Sequence, residues 1–420
     1  MALLVATLAA LGTPRARADS PVRMGDVVSI AGSDLAPFDG DRIERLALLR
    51  CTQGACRPIP FQIDERDARG QWALDHGPEP TADDPPGVLD GNDVLLFMAA
   101  DAGDHAPRTD LPRWLPAAEI SVHDPLDGAT RWVYLVRYPE AAPRAAASYV
   151  HYDPSTDRVR GAHVSLGFGR GVPDYLALTD GAAAGANLLD RLKVRASATF
   201  LFGLIRFSRN EDDLTTQFAG WREGPIRVIR RQRQWVRLGW GIRSPTFGSY
   251  TYFYRDCAEL PVGLSLNFPP HYFFGNIVIR IILDFRDLRG WSLVVPSLPA
   301  PLPIDDQMTA QKEALNRLAG SWFALVGPQL TLVQTMGLST SLASVRRRFL
   351  YQEGLRAADP PETVPGAEPG VGYQLDQWDH VGAGAHQLSS VSCALPPEVD
   401  VRAFMAARGA PLQTAVHALP

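Results

Sequence analysis

The sequence lacks every short motif that would identify a reaction from residue spacing alone. It has no GxSxG nucleophile elbow, no HExxH zinc motif and no Walker phosphate loop. The glycine-rich stretch 167–171 is followed by no predicted helix, so it does not indicate a dinucleotide-binding fold. Asp379-His380 and His386 with Ser389 would form a triad only if the fold brought them together. The α/β-hydrolase, zinc-protease and nucleotide-binding classes are therefore unsupported.

Long apolar runs are also missing beyond the first residues. Residues 2–12 form an apolar run typical of a signal-peptide core, and it is shorter than the roughly 20 residues of a transmembrane helix. Pro14 ends the run, and Ala-Arg-Ala at 16–18 offers a cleavage site. We therefore expect a signal peptide over residues 1–18, a periplasmic or extracellular location, and no transmembrane segment in the mature chain. No basic residue precedes the run, which leaves open a start upstream of Met1 or a disordered apolar N-terminus on a cytosolic protein.

Cysteine is scarce, with four residues in the chain. An even number in an exported protein favours disulfides. Cys51 and Cys56 enclose a polar turn, which predicts a hairpin staple, and Cys257 and Cys393 then pair across a long loop. A zinc site is the alternative, but neither pair has CxxC spacing or a nearby histidine.

Long helices are rare in the sequence pattern, whereas proline (35) and glycine (36) are abundant. This composition favours many short strands and turns. We predict an all-β, mainly antiparallel protein with a stacked β-sandwich architecture and two or three short helices. One helix is expected over 306–317, with Asp305 or Asp306 as its N-cap, and another over 396–408. A Pro/Ala-rich stretch at 139–147 divides an N-terminal sandwich (19–145) from a larger one with a C-terminal extension (146–420).

The net charge of -5 hides an uneven distribution of charge along the chain. Residues 64–110 contain 12 acidic and 3 basic residues, and residues 190–255 contain 13 basic and 5 acidic residues. Such asymmetry can mark surfaces that bind a partner.

The basic segment predicts a strand with arginine and tryptophan on one face. In an extended chain the odd-numbered residues from 227 to 237 point to the same side. Arginine recognises carboxylate and sulfate oxygens, and tryptophan can stack on a sugar. The predicted binding residues for an acidic glycan or another envelope component are Arg227, Arg231, Arg233, Trp235, Arg237 and, on the adjacent strand, Tyr252. The alternative is that these arginines pair with the acidic segment 64–104; no motif indicates nucleic acid.

The acidic segment offers one candidate metal site, for calcium. Asp90, Asn92 and Asp93 flank a glycine and have the oxygen ligands that calcium prefers, but they lack the spacing of an EF-hand. The alternative is a set of Asp-rich turns in which the side chains accept bonds from nearby backbone amides. No other cofactor is expected.

Three functions are compatible with this sequence. The leading hypothesis is a non-catalytic, exported β-sandwich protein that binds a glycan through the arginine and tryptophan face. The second is a carbohydrate-active enzyme, such as a lyase on an acidic polysaccharide, with His271, Tyr272 or the tyrosines of 250–254 as the base. The third is a purely structural envelope protein.

Overall fold

A computed structural model describes residues 21–419, except 84, 113, 114, 170, 182, 183, 201, 202, 240, 245, 355–360, 362 and 365–368. The predicted signal peptide lies outside the described residues. The protein is mostly antiparallel β-sheet in several stacked sheets, so the predicted all-β sandwich class is confirmed. No helix in the described part of the chain is long and apolar enough to cross a membrane.

The front third of the chain forms short strands. They are β1 (Val27–Ala31), β2 (Leu46–Thr52), β3 (Ala55–Pro58), β4 (Phe61–Asp64), β5 (Val94–Met98), β6 (Ala117–His123) and β7 (Thr130–Arg137). The middle of the chain adds longer strands. They are β8 (His151–Asp153), β9 (Arg158–Arg160), β10 (Val164–Gly167), β11 (Tyr175–Leu178), β12 (Leu189–Phe200), β13 (Ile205–Arg209), β14 (Leu214–Glu223), β15 (Val228–Gly239), β16 (Ile242–Arg243), β17 (Phe247–Phe253), β18 (Cys257–Leu266) and β19 (Phe274–Phe285).

The last third contains the remaining strands and two short α-helices. The strands are β20 (Ser292–Val294), β21 (Leu302–Pro303), β22 (Trp322–Val326), β23 (Thr331–Leu338), β24 (Arg346–Gln352), β25 (Gly370–Asp376), β26 (Gly384–Leu395) and β27 (Gln413–Leu419). The helices are α1 (Ala310–Leu315) and α2 (Val401–Gly409).

Five sheets arise from these strands. Two belong mainly to the front of the chain, with orders β1-β5-β4 and β27-β6-β7-β2-β3. A small sheet has the order β11-β10-β9-β8, and a five-stranded sheet has the order β13-β12-β19-β25-β24. The largest sheet runs β14-β15-β17-β18-β26-β23-β22-β20-β21, with β16 beside β15. Every described strand pair is antiparallel, which suits a chain with short connections rich in glycine and proline.

The front core lies between the two front sheets. Its buried side chains include Leu48, Phe97 and Leu135, which come from β2, β5 and β7. The final strand β27 pairs with β6, so the end of the chain returns to the front half of the molecule. The domain boundary near 145 stays a prediction, because this strand belongs to the predicted second unit and joins a sheet of the first.

Both predicted disulfides are present. Cys51 and Cys56 are register partners in the β2–β3 hairpin, whose turn residues Gln53 and Gly54 have φ values of 53° and 78°. Positive φ at both positions is typical of a type I′ turn, which matches the twist of a two-stranded hairpin. Cys257 and Cys393 are partners across β18 and β26 in the largest sheet.

Candidate ligand-binding surface

Residues 65–83, which are part of the acidic segment 64–104, cover one end of the largest sheet. They form backbone bridges among themselves at Arg66 with Trp72, and they pair with β14 where His76 meets Trp221. Trp72 and Leu74 are buried against Ile229 of β15. The segment therefore covers the first residues of β15 and leaves the later residues uncovered.

The predicted alternation of β15 is present. Arg231 is the register partner of Tyr250, and Ile229 is the partner of Tyr252, so these four side chains share one face of the sheet. Along this face exposure increases, since the side chain of Arg231 is 12% exposed and that of Arg233 is 46% exposed. Gln232, on the opposite face, is buried.

Arg227 precedes the strand and is buried. Its guanidinium pairs with Asp64 through Nε and lies 4.5 Å from the ring centre of Trp72 and 5.1 Å from that of Tyr252. Burial, the largest influence, lowers the pKa of Arg227, but the attraction of Asp64 and a contact with Tyr254 outweigh it and leave the pKa raised. Arg227 is therefore a fixed positive charge beneath the aromatic rings.

Aromatic side chains surround this charge. The indole Nε1 of Trp72 donates to the hydroxyl of Tyr252 at 2.8 Å, and the guanidinium of Arg66 lies 3.7 Å from the indole centre. The rings of Tyr250 and Tyr252 are parallel, with centres 6.5 Å apart. We define the aromatic–arginine cluster as these side chains: Arg66, Trp72, Arg227, Arg231, Tyr250 and Tyr252.

The cluster contains guanidinium nitrogens without partners. Among the described residues, the buried Nε of Arg66, Nη2 of Arg227 and Nη1 of Arg231 have no hydrogen-bond partner. Arg227 is only 5% exposed, so bulk water does not solvate its nitrogen freely. Buried donors are ordinarily paired, so these enclosed nitrogens are exceptions, and the protein leaves part of the hydrogen-bonding capacity of the cluster unused.

The tyrosine hydroxyls add donors to the cluster. Burial raises the pKa of Tyr250, and it raises the pKa of the neighbouring Tyr254 to about 12. Both hydroxyls therefore stay protonated at neutral pH. The hydroxyl of Tyr252 already accepts a bond from Trp72, which leaves its own hydrogen to donate.

The acidic segment supplies partners for several arginines. Glu79 pairs with Nη2 of Arg231 at 3.0 Å and with Nη2 of Arg233 at 2.7 Å. Arg222 of β14 lies within 3.4 Å of carboxylate oxygens of Asp64, Glu65 and Asp75. These contacts are the pairing that the alternative interpretation describes, and they neutralise part of the predicted face.

The six predicted binding residues do not lie in one place. Arg227, Arg231 and Tyr252 belong to the cluster, and Arg233 adjoins it through Glu79. Trp235 lies further along β15, with the guanidinium of Arg243 at 5.5 Å from its ring centre, and Arg237 donates to the carbonyl oxygen of Asp212. Arg66 and Trp72 are members of the cluster that were not predicted from the sequence. The sequence feature that could have identified them is the presence of a basic and an aromatic residue within an acidic segment.

The candidate calcium residues form a hydrogen-bonded turn. Asp93 accepts the backbone N–H of Arg66 at 3.1 Å and that of Asp90 at 3.0 Å, and Asp90 accepts the N–H of Asn92 at 2.9 Å. Burial is the main reason that the pKa of Asp93 rises to about 7. Within the described ranges, no group of three or more His, Cys, Asp or Glu side chains has the arrangement of a metal site.

A groove of about 430 Å³ lies between β4 and the stretch 144–148. His151 and Glu223 line it, and their side chains meet at 3.3 Å. Arg144 stacks over Phe61 at 4.3 Å in the same groove. His271, the base considered for a lyase, lies instead in an exposed turn between β18 and β19, where its ring contacts Tyr272.

Comparisons with known proteins find similarity only to solved structures. No family model matches this chain, and no curated protein matches it. The chain is similar to the crystal structure of an alpha-mannosidase from Enterococcus faecalis V583, with a TM-score of 0.49 and 9% identity over 95% of this chain and 45% of that chain. It is also similar to a glycosyl hydrolase family 38 protein from Enterococcus faecalis, with a TM-score of 0.48 and 9% identity over 95% of this chain and 46% of that chain. The chain therefore spans less than half the length of either protein.

Proposed function

We propose that this chain is an exported, non-catalytic protein that binds an acidic glycan through the aromatic–arginine cluster and the adjoining exposed part of β15. The observation that supports this most is the set of three buried guanidinium nitrogens that lack partners among the described residues. Leaving a buried donor unpaired costs about 1–3 kcal/mol. A ligand with carboxylate or sulfate oxygens would supply the missing acceptors once the side chains that enclose these nitrogens shift to admit it.

The surroundings of these nitrogens favour a sugar as the carrier of the anion. Tyr250 and Tyr252 present parallel, half-buried rings, and apolar ring faces pack against the C–H groups of sugars. Arg233 is exposed at the edge of the cluster and can meet a second anionic group along a chain. The hydroxyl of Tyr250 can donate to a sugar oxygen, because burial raises its pKa and keeps it protonated.

The proposed location rests on the disulfides. Both described disulfides are of the kind that persists in oxidising compartments, and they are compatible with export. An exported protein would meet acidic polysaccharides of the cell envelope.

The test is a pair of charge-removing substitutions in the cluster. Arg66→Gln combined with Arg231→Gln keeps polar side chains and removes two of the donors. We expect acidic-glycan affinity to fall at least tenfold, because a hydrogen bond to a charged group contributes about 1.5–3 kcal/mol and 1.4 kcal/mol is a factor of ten. Affinity is measured by calorimetry with polysaccharides that bind the unaltered protein on an array of acidic and neutral glycans.

Arg42→Gln is the matched control, because Arg42 is 61% exposed and pairs with Glu44 away from the cluster. Unchanged affinity in the double variant, with an unchanged melting temperature, would contradict the proposal. New reducing or unsaturated ends during incubation would instead assign an enzyme, with the His151 groove as the first place to look. A protein that bound no glycan on the array would favour the structural role.

A further inference from the structure

Two neighbouring loops at one end of the five-stranded sheet expose large apolar side chains. The first consists of the residues around 203–205, at the start of β13, and the second connects β18 to β19. We name their exposed residues the apolar tip: Leu204 (84% exposed), Ile205 (46%), Phe268 (47%), Tyr272 (65%) and Phe273 (51%). They make up five of the eight exposed large hydrophobic residues in the described part of the chain, so exposure of this kind is concentrated here.

The two loops form one continuous surface. Phe200 of β12 and Phe274 of β19 are register partners, with ring centres 5.6 Å apart, and Phe207 lies 6.0 Å from Phe274. Phe268 and Phe273 meet edge to face at 5.1 Å. The inner rings thus form a packed base beneath the exposed side chains. Leu204 is the most exposed of them and follows Gly203, whose φ of 88° lies in the region that favours glycine.

The two chain segments that carry the apolar tip contain no acidic residue. Residues 196–210 and 260–283 contain no aspartate or glutamate, whereas Arg206, Arg209 and Arg280 lie within them. Arg206 is exposed directly beside Ile205. Asp379, in the adjacent turn, is 16% exposed and accepts the backbone N–H of Ile277, so its carboxylate is engaged within the protein.

We propose that the apolar tip docks into the surface of an anionic lipid bilayer. Exposed apolar patches mark interaction sites. The apolar tip combines aliphatic and aromatic side chains with the adjacent exposed Arg206, and a bilayer surface accepts apolar and aromatic side chains where acyl chains give way to headgroups and arginine among the headgroups. The absence of carboxylates from both segments suits the negative potential of such a surface. The protein would then be held at a membrane by its loops, with the aromatic–arginine cluster in a different sheet.

Sedimentation of the full oxidised chain with vesicles tests this inference. The probes are vesicles of phosphatidylcholine alone and vesicles of equal parts phosphatidylcholine and phosphatidylglycerol. We expect binding to the anionic vesicles and at least a tenfold loss of partitioning for Leu204→Glu combined with Phe273→Glu. Arg206→Gln should weaken binding to the anionic vesicles several-fold and leave the residual binding to neutral vesicles unchanged.

Leu126→Glu is the matched control, because Leu126 is 53% exposed in a turn of the front half of the chain. An unaltered chain that stays in the supernatant with both vesicles would overturn the inference. An equal loss in the Leu126 variant would overturn it as well. A chain that does not bind vesicles but forms a dimer that the tip substitutions dissociate would assign the apolar tip to a second copy of the protein. Glycan affinity is expected to be unchanged in the tip variants, so the two proposals fail separately.

Discussion

The surroundings of Asp93 shift the pKa of its carboxyl group in opposite directions. Both of its oxygens accept backbone N–H bonds, which lower the pKa, but burial has the larger effect, and nearby Asp90 and Asp83 add repulsion. The pKa of this carboxyl is therefore raised from 3.8 to about 7. Asp93 also contacts the cluster, because it accepts the backbone N–H of Arg66.

Stability is expected to fall as pH rises between about 4 and about 7, the interval between the unfolded and folded pKa values of Asp93. In this interval the folded chain binds a proton that the unfolded chain has released, so each step up in pH favours unfolding. Asp93→Asn should remove this part of the slope. Melting temperatures across this pH range check the expectation, and an equal slope in the variant would contradict it.

A chelator is expected to leave the melting temperature unchanged at neutral pH. The oxygens that would bind calcium at Asp90 and Asp93 already accept backbone N–H bonds. A fall in melting temperature on chelation, reversed by added calcium, would instead support a calcium site in this turn. The sequence shows that these residues offer oxygen ligands. Whether the oxygens bind a metal or backbone N–H groups depends on the conformation of the turn.

At the scale of strands and helices, the two disulfides should contribute unequally to stability. Cys257–Cys393 closes a loop with a separation of 136 residues, and Cys51–Cys56 closes one with a separation of 5. Chain-entropy reasoning gives about 5 kcal/mol for the long loop and about 2 kcal/mol for the short one. Removing each pair as a double serine variant should therefore lower the denaturant midpoint more for Cys257 and Cys393. Equal midpoints would contradict this ranking.

Alternation along a single strand was predictable from sequence, and the ends of helices were not. The odd-numbered residues of β15 lie on one face as predicted, because successive side chains of an extended chain point to opposite sides regardless of their neighbours. The helix expected over 306–317 is α1 (Ala310–Leu315), and its N-cap is Thr309 rather than Asp305 or Asp306. Asp305 instead pairs with Nζ of Lys312 at 2.6 Å. The carboxylate of Asp305 therefore contacts a side chain of α1 and does not cap the backbone amides at its start.

At the scale of the whole molecule, part of the excess positive charge of one segment is neutralised by the excess negative charge of another segment of the same chain. Arg222, Arg227, Arg231 and Arg233 pair with carboxylates about 150 residues earlier in the chain. Counting charges cannot distinguish a surface that binds a partner from one that binds another part of the same chain, because the pairing depends on how the sheets stack. What remains for a ligand is the set of donors left over after these pairs form.

Recognition of an anion by the cluster can be measured by calorimetric titration of the oxidised chain with an acidic polysaccharide and with its carboxyl-reduced form, each at low and high salt. We expect binding of the acidic form, weaker binding of that form at high salt, and loss of binding when the carboxylates are reduced. Equal binding of both forms, or binding of the acidic form that salt does not change, would contradict recognition of an anion by the aromatic–arginine cluster.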